Sequence, residues 1–215
     1  MEDYQREFIQ FTLENGVLRF GEFTLKSGRR SPYFFNSGLF NNGESLSQLG
    51  YYYACAIEES GIDYDMLFGP AYKGIPLASA VAIALANHFD HSVPFCFNRK
   101  EVKDHGEGGI VFGAELQGRV LIVDDVISAG TSINLSVDII KGAGAEPVAA
   151  AVAMDRQERG AGPLSAVQET EQRHGIRVLS IITLDNLMEF LTSMPHPDEK
   201  IAKIKQYRDE YGISR

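Results

Sequence analysis

Residues 120–133 read VLIVDDVISAGTSI. Four apolar residues in succession run into two adjacent acids, Asp124 and Asp125, and a loop of small residues follows. Strands that are covered on both faces of a sheet read as continuous apolar runs. Neighbouring strand residues point to opposite faces, so both carboxylates can reach one ligand only where the strand ends. The stretch therefore predicts a buried strand with a polar site at its carboxyl end.

Strands and helices alternate on both sides of this stretch. Predicted strands cover residues 65–72, 93–100, 119–125, 146–155 and 176–184, and predicted helices cover residues 1–19, 45–60, 74–89, 131–145, 163–174 and the segment from Asp198. Residues 22–40 predict two short strands around a turn. The alternation indicates an α/β fold in which a mostly parallel central sheet is flanked by helices.

Composition restricts the class of protein. The chain has 215 residues, 44% of them hydrophobic, which suits a single domain with a substantial core. The net charge of −9 argues against nucleic acid as the main partner. Cys55 and Cys96 lie among apolar neighbours without disulfide or zinc spacing, which favours a reducing compartment. The most apolar stretch, IPLASAVAIALA, is too short to span a bilayer, and we expect a cytoplasmic protein.

The acid pair and the loop after it suit a sugar phosphate. The small residues of SAGTS let the backbone approach a ligand, and amides at a helix N-terminus favour an anion. Carboxylates accept hydrogen bonds from ribose hydroxyls. The loop has neither the Walker A pattern nor the dinucleotide fingerprint. The alternative is structural: one aspartate caps the next helix, and Thr131 is only its N-cap.

Three motifs carry a resemblance to a known family. VLIVDDVISAGT resembles the motif with which type I phosphoribosyltransferases bind 5-phosphoribosyl 1-diphosphate (PRPP). FTLKSGRRSPYFFN, residues 23–36, resembles the signature of the orotate phosphoribosyltransferases, and NRKEVKDHGEGG, residues 98–109, resembles the mobile catalytic loop of that family. Ser128 stands where that family has threonine, and we expect only a small effect on base packing.

The resemblance implies an activity and an architecture. We expect one type I phosphoribosyltransferase domain over residues 1–215, a small hood formed mainly by about residues 1–40 with C-terminal elements, and a mobile catalytic loop at about residues 99–110. The implied reaction transfers phosphoribosyl from PRPP to orotate and gives orotidine 5′-monophosphate and diphosphate in pyrimidine biosynthesis. It also implies Mg²⁺ held mainly by substrate and water, no direct protein ligands, no nucleic-acid or membrane partner, and a homodimer whose loops complete the neighbouring active site.

The resemblance also implies roles for individual residues. Those implied to be catalytic are Lys73, Lys103, His105 and Asp125. Those implied to bind PRPP are Lys26, Tyr72, Lys73, Arg99, Lys100, Lys103, His105, Asp124, Asp125, Val126, Ile127, Ser128, Ala129, Gly130, Thr131 and Ser132. Those implied to bind orotate are Lys26, Phe34, Phe35, Ser128 and Arg156.

Each group also has a plainer interpretation from the residues alone. Lys73 suits a solvated helix start, the loop at residues 99–110 suits an exposed surface, and Arg156 suits a surface ion pair with Glu158. Phe34 and Phe35 suit the core. Two other functions share the PRPP motif: a purine-using phosphoribosyltransferase, and a PRPP-sensing regulator that binds nucleic acid.

Overall fold

The computed structural model describes residues 1–25, 27–103, 109–127, 130–160, 162–195 and 197–213, with the backbone alone for residues 100–103 and 109. In the described residues the elements are α1 (Asp3–Glu14), β1 (Leu18–Thr24), β2 (Arg30–Phe35), a 3-10 turn (Ser37–Leu39), α2 (Gly43–Ser60), β3 (Met66–Gly69), α3 (Gly74–His88), β4 (Phe95–Lys103), β5 (Gly109–Gly113), β6 (Arg119–Val123), α4 (Thr131–Gly142), β7 (Glu146–Asp155), α5 (Ala166–His174), β8 (Arg177–Thr183), α6 (Leu184–Thr192) and α7 (Asp198–Tyr211).

A six-stranded sheet forms the centre, in the order β5-β4-β3-β6-β7-β8. Its pairings are parallel except for β5, which runs antiparallel to β4 at one edge. The alternation of β6 divides the core: Leu121 and Val123 join the apolar cluster under α2 and α3, whereas Val120 and Ile122 join the cluster that contains Ile133 of α4. The predicted fold, a mostly parallel sheet with helices on both faces, is confirmed.

β1 and β2 form a separate antiparallel two-stranded sheet. This sheet lies within the segment of about residues 1–40 that was predicted to form most of a hood, and from here on the name hood is used for these two strands alone. The C-terminal helix α7 packs against it. The Tyr33 and Tyr207 ring centroids lie 6.3 Å apart in an edge-to-face arrangement, and the Arg29 guanidinium lies 4.8 Å from the Tyr211 ring centroid. Aromatic and cation–π contacts therefore hold the hood against the end of the chain.

Several boundaries differ from those predicted, and three of these differences change the order or extent of the elements most. The first helix ends at Glu14, because Gly16 adopts a left-handed φ of 65° and β1 begins two residues later. β4 continues to Lys103 and pairs with β5, although residues 101–109 read as a loop. The predicted strand at residues 176–184 ends at Thr183, whose side chain caps α6, a helix the sequence analysis missed.

Two further observations concern the cysteines and the helices. Cys55 and Cys96 are both free thiols, and burial raises the pKa of each. Among the described residues, no helix combines the length and the apolar character that crossing a bilayer requires.

Candidate active site

The acid pair lies where β6 leaves the core. Asp124 is 6% exposed and Asp125 is 9% exposed. The backbone of both residues remains tied to β7, because the Asp124 amide donates to the Ala151 carbonyl at 3.0 Å and the Ala153 amide donates to the Asp125 carbonyl at 2.9 Å. The buried Tyr53 hydroxyl donates to the Asp124 carbonyl at 2.7 Å. The backbone that carries both carboxylates is thus held from two sides.

Asp125 makes a compact polar cluster with two distant residues. Its Oδ2 accepts from Lys73 Nζ at 2.6 Å and from Ser37 Oγ at 2.7 Å. Lys73 Nζ also donates to Ser37 Oγ at 3.1 Å. The Lys73 side chain is 58% exposed, so its ammonium group lies at the mouth of the site rather than inside it. We call these three residues the Asp125 cluster.

Asp124 has a different environment. Its Oδ1 accepts from the Asp125 amide at 2.9 Å. Burial raises the pKa of Asp124 to about 6, against an opposing hydrogen bond from Ser132. The charged form of this carboxyl therefore carries a desolvation cost in the folded state that it does not have in the unfolded chain.

Replacing Asp124 by asparagine should change how stability depends on pH. The Asp124 carboxyl keeps its proton to higher pH in the folded state than in the unfolded chain. Between about pH 4 and pH 6 the unfolded chain therefore binds fewer protons than the folded state. The free energy of unfolding of the wild type should therefore fall relative to that of Asp124→Asn as the pH rises, by up to about 3 kcal/mol. Urea unfolding on both sides of this window measures the difference.

The matched control for this prediction is Asp63→Asn. The Asp63 side chain is 89% exposed and pairs with Arg119 at 3.3 Å. The unfolding free energy of Asp63→Asn should therefore run parallel to that of the wild type between about pH 4 and pH 6. If Asp124→Asn also runs parallel to the wild type, burial does not raise the pKa of Asp124.

The turn between β3 and α3 brings Lys73 to the acid pair. A Cβ on Gly69 would lie 2.2 Å from the Gly74 carbonyl oxygen, and one on Gly74 would lie 2.8 Å from the Val123 carbonyl oxygen. Only glycine fits at either position, and the turn therefore presses against the end of β6. The Ala71–Tyr72 peptide bond within it is cis, and Tyr72 is 67% exposed.

Asn98 supports this turn and was missed by the sequence analysis. It is 2% exposed, and its Oδ1 accepts from the Ala71 amide at 2.8 Å. Its Nδ2 donates to the Arg99 carbonyl at 3.2 Å. Because the buried Asn98 amide uses both its oxygen and its nitrogen in hydrogen bonds, it holds the backbone of the turn in place. The available signal was one polar residue after the apolar run PFCF.

The N-terminus of α4 faces the same edge. Gly130 precedes the helix with a left-handed φ of 68° and has no side chain with which to cap it. Thr131 is the first helical residue and is exposed, and Ser132 bonds to Asp124. The structural alternative, with Thr131 or an acid as the N-cap, therefore does not describe this helix. Val126 and Ile127 are half-buried in the loop before it.

Arg156 follows β7 at the same sheet edge and meets the hood. Its Nε donates to Glu158 Oε1 at 2.7 Å, and Nη2 lies 2.7 Å from the same oxygen. Nη2 also donates to Ser31 Oγ at 3.0 Å. The guanidinium lies 4.1 Å from the Tyr33 ring centroid. The ion pair with Glu158 is the one that the sequence offered as an alternative, but the Arg156 side chain is only 21% exposed. The guanidinium is thus held in one orientation by contacts on several sides.

The other predicted residues divide into two groups. Phe34 stacks on Phe23 with 5.5 Å between the ring centroids. Phe35 packs against the larger core cluster instead, so the Phe34 and Phe35 rings lie on opposite faces of the hood. The Arg99 guanidinium lies 4.6 Å from the Phe112 ring centroid. Four predicted residues lie outside the described residues, as do the side chains of Lys100 and Lys103; the four are Lys26, His105, Ser128 and Ala129. The roles of all these residues stay predictions.

A profile of the phosphoribosyl transferase domain matches residues 40–173, which include the acid pair and the Lys73 turn. Fold and site together thus define a phosphoribosyltransferase. The orotate phosphoribosyltransferase of Thioalkalivibrio sulfidiphilus is 62% identical over 213 residues, which cover 99% of this chain and 100% of that protein. The one from Photobacterium profundum is 57% identical with the same coverage. The crystal structure of orotate phosphoribosyltransferase from Francisella tularensis is 43% identical with a TM-score of 0.88, covering 96% of this chain and 99% of that one. This chain belongs to the orotate phosphoribosyltransferase family.

Proposed function

We propose that the chain transfers the phosphoribosyl group of PRPP to N1 of orotate, giving orotidine 5′-monophosphate and diphosphate in pyrimidine biosynthesis. The observation that carries the proposal is the acid pair, buried at the carboxyl edge of the sheet beside Lys73 and the α4 N-terminus, in a chain that matches orotate phosphoribosyltransferases over its full length. In open α/β sheets, ligands bind outside the carboxyl ends of the strands.

The attacking nitrogen belongs to orotate, so the protein's task is positioning and electrostatics. Positive charge develops on the ribose ring as the bond to diphosphate breaks, and the side-chain oxygens of Asp124 and Asp125 suit the ribose hydroxyls as hydrogen-bond acceptors. Among the described side chains, Lys73 suits the leaving diphosphate well, because its side chain is 58% exposed and its ammonium lies beside Asp125. When PRPP binds, Lys73 would exchange its contact with Asp125 for one with the diphosphate.

The 5′-phosphate and orotate would occupy the two flanks of the acid pair. The amides that begin α4, with Thr131 and Ser132, suit the phosphate. On the other side, Arg156 suits the carboxylate of orotate because a guanidinium binds carboxylates through parallel hydrogen bonds. Glu158 and Ser31 occupy the Nε–Nη2 edge, which orients the remaining guanidinium donors.

Magnesium belongs to the same proposal. No three histidine, cysteine, aspartate or glutamate side chains in the described part of the chain group to hold a metal. Asp125 Oδ2 already accepts from Lys73 and Ser37, and we propose that the ion is held mainly by diphosphate oxygens and water. Bound Mg²⁺ would supply charge neutralisation of the diphosphate. We propose further that the enzyme is a cytoplasmic homodimer in which the loop at residues 99–110 serves the neighbouring site.

The direct test follows the ultraviolet absorbance of orotate in the presence of PRPP and Mg²⁺, with hypoxanthine and adenine in parallel. Loss of the orotate signal that requires both PRPP and Mg²⁺ supports the proposal. Turnover of a purine but not of orotate would replace it with a purine phosphoribosyltransferase. PRPP binding without turnover of any base, together with salt-dependent binding of RNA or DNA, would favour the regulator.

Lys103 provides a separate prediction. In Lys103→Ala we expect turnover to fall about 100-fold or more, because a cation that stabilises the leaving diphosphate acts mainly in the transition state. The Kd for orotate should change far less. Steady-state kinetics and equilibrium binding measure the two effects. Lys203→Ala, which removes an exposed lysine paired with Glu199 on α7, is the control. Unchanged turnover in Lys103→Ala would remove Lys103 from the mechanism.

A further inference from the structure

We propose that Ser37 is a positioning residue for the transfer reaction: its hydroxyl fixes the distance between the acceptor base on the hood and the ribose on the acid pair. This inference rests on the proposed function, since it requires an acceptor and a ribose at these two places. Ser37 was not among the residues that the sequence pointed to.

The Ser37 hydroxyl acts as both donor and acceptor, and each of its partners is a charged side chain. It donates to Asp125 Oδ2 at 2.7 Å and accepts from Lys73 Nζ at 3.1 Å. Hydrogen bonds to ionised groups are roughly twice as strong as neutral ones. When Lys73 turns to the diphosphate, the bond from Ser37 remains and still holds the Asp125 carboxylate in one orientation. Ser37 therefore maintains the ribose acceptor throughout the exchange of Lys73 partners.

The chain on the other side of Ser37 is stiff and leads directly to the hood. Ser37 begins the 3-10 turn two residues after Phe35, the end of β2. The Asn36 amide donates to the Val17 carbonyl at 2.8 Å, and Asn36 Oδ1 accepts from the Gly38 amide at 3.2 Å. A shift of the hood by a fraction of an ångström therefore moves the Ser37 hydroxyl by a similar amount.

The chemical consequence concerns the reacting atoms. The hood and the six-stranded sheet are separate sheets in the described residues, so their relative position depends on side-chain contacts. Nucleophile and anomeric carbon must approach to about 3–3.5 Å before transfer, and a misplacement of about 1 Å can cost about 100-fold in rate. Ser37 joins the end of the hood to the carboxylate that we assign to the ribose. It acts on the rate of transfer more than on the binding of either substrate.

The test compares Ser37→Ala with Ser37→Thr. The single-turnover rate constant, measured with enzyme in excess over orotate, should fall about 10-fold in Ser37→Ala. The KM values for PRPP and orotate should each change by less than about threefold, and Ser37→Thr, which retains the hydroxyl, should recover most of the rate. Thermal unfolding of each variant confirms that it is folded.

The control is Ser60→Ala, which removes a half-buried hydroxyl that donates to the Ile57 carbonyl at the end of α2. It should retain the wild-type rate. A Ser37→Ala rate within about twofold of the wild type would overturn the inference, as would a raised KM for PRPP at unchanged rate, or failure of threonine to recover the rate. The proposed function fails separately, if the wild type and Ser60→Ala do not use orotate.

Discussion

Asp125→Asn is expected to lower kcat/KM for PRPP by about 100- to 1,000-fold, the usual cost of removing one preorganised electrostatic group. Asparagine has nearly the same shape, but it lacks the negative charge with which we propose that Asp125 binds the ribose hydroxyls and stabilises the developing cation. It also replaces the anionic partner that now lies 2.6 Å from Lys73 Nζ by a neutral acceptor. Initial rates at saturating orotate, with PRPP varied, measure the loss.

Asp138→Asn is the matched control for this variant, because Asp138 is exposed on α4, outside the acid pair. Its kcat/KM for PRPP should equal that of the wild type. An Asp125→Asn enzyme within about threefold of the wild type would show that Asp125 only anchors Lys73 and Ser37, and that the ribose is bound elsewhere.

Arg156→Ala is expected to raise the KM for orotate by about 30- to 100-fold while leaving the KM for PRPP near its wild-type value, because a charge-assisted hydrogen-bond pair is worth about 2–3 kcal/mol. The alanine variant also removes the main partner of Glu158, whose side chain is only 14% exposed. Arg156→Lys keeps a positive charge beside Glu158 but lacks the planar fork, and it should show a large part of the same defect.

Arg30→Ala on the same hood is the control for Arg156. Arg30 pairs with Glu22 at 2.9 Å, and both side chains are more than three-quarters exposed, at 79% and 77%. Exposed pairs contribute little to stability, so the kinetics should not change. If Arg156→Ala raises the KM for PRPP instead of that for orotate, the acceptor and the donor have been assigned to the wrong sides of the acid pair.

The sequence predicted the fold because the strong signals were local. The apolar run before Asp124 and the Gly61 that ends α2, with a left-handed φ of 61°, can each be interpreted without knowing any distant contact. The α6 helix was missed although its capping pair, Thr183 and Asn186, is present in the sequence. The apolar run that ends at Leu184 favoured a strand through that residue, although Thr183 in fact caps the helix that begins there. The strand character of residues 101–103 was hidden because their pairing with β5 is a tertiary contact.

The candidate site was predicted less completely than the fold. Asp124, Asp125 and Lys73 were identified from motifs, and the structure brings Lys73 against Asp125. Ser37 and Asn98 were not, because their partners lie 88 and 27 residues away along the chain. No periodicity or spacing reports a hydrogen bond of that kind. The double contact of Arg156 with Glu158 and Tyr33 was likewise invisible beyond the plain possibility of an ion pair.

The division into two sheets has a consequence for how such an enzyme can diverge. The acid pair belongs to the six-stranded sheet, whereas Phe34 and Ser31 belong to the hood, and the described strands of the two sheets share no ladder. A hairpin of altered sequence or length can therefore be exchanged without disturbing the backbone that holds the sugar phosphate. Acceptor preference can drift, or be engineered by grafting, while the donor half and Arg156 are inherited intact, provided that the turn after the hairpin still brings the Ser37 hydroxyl to Asp125.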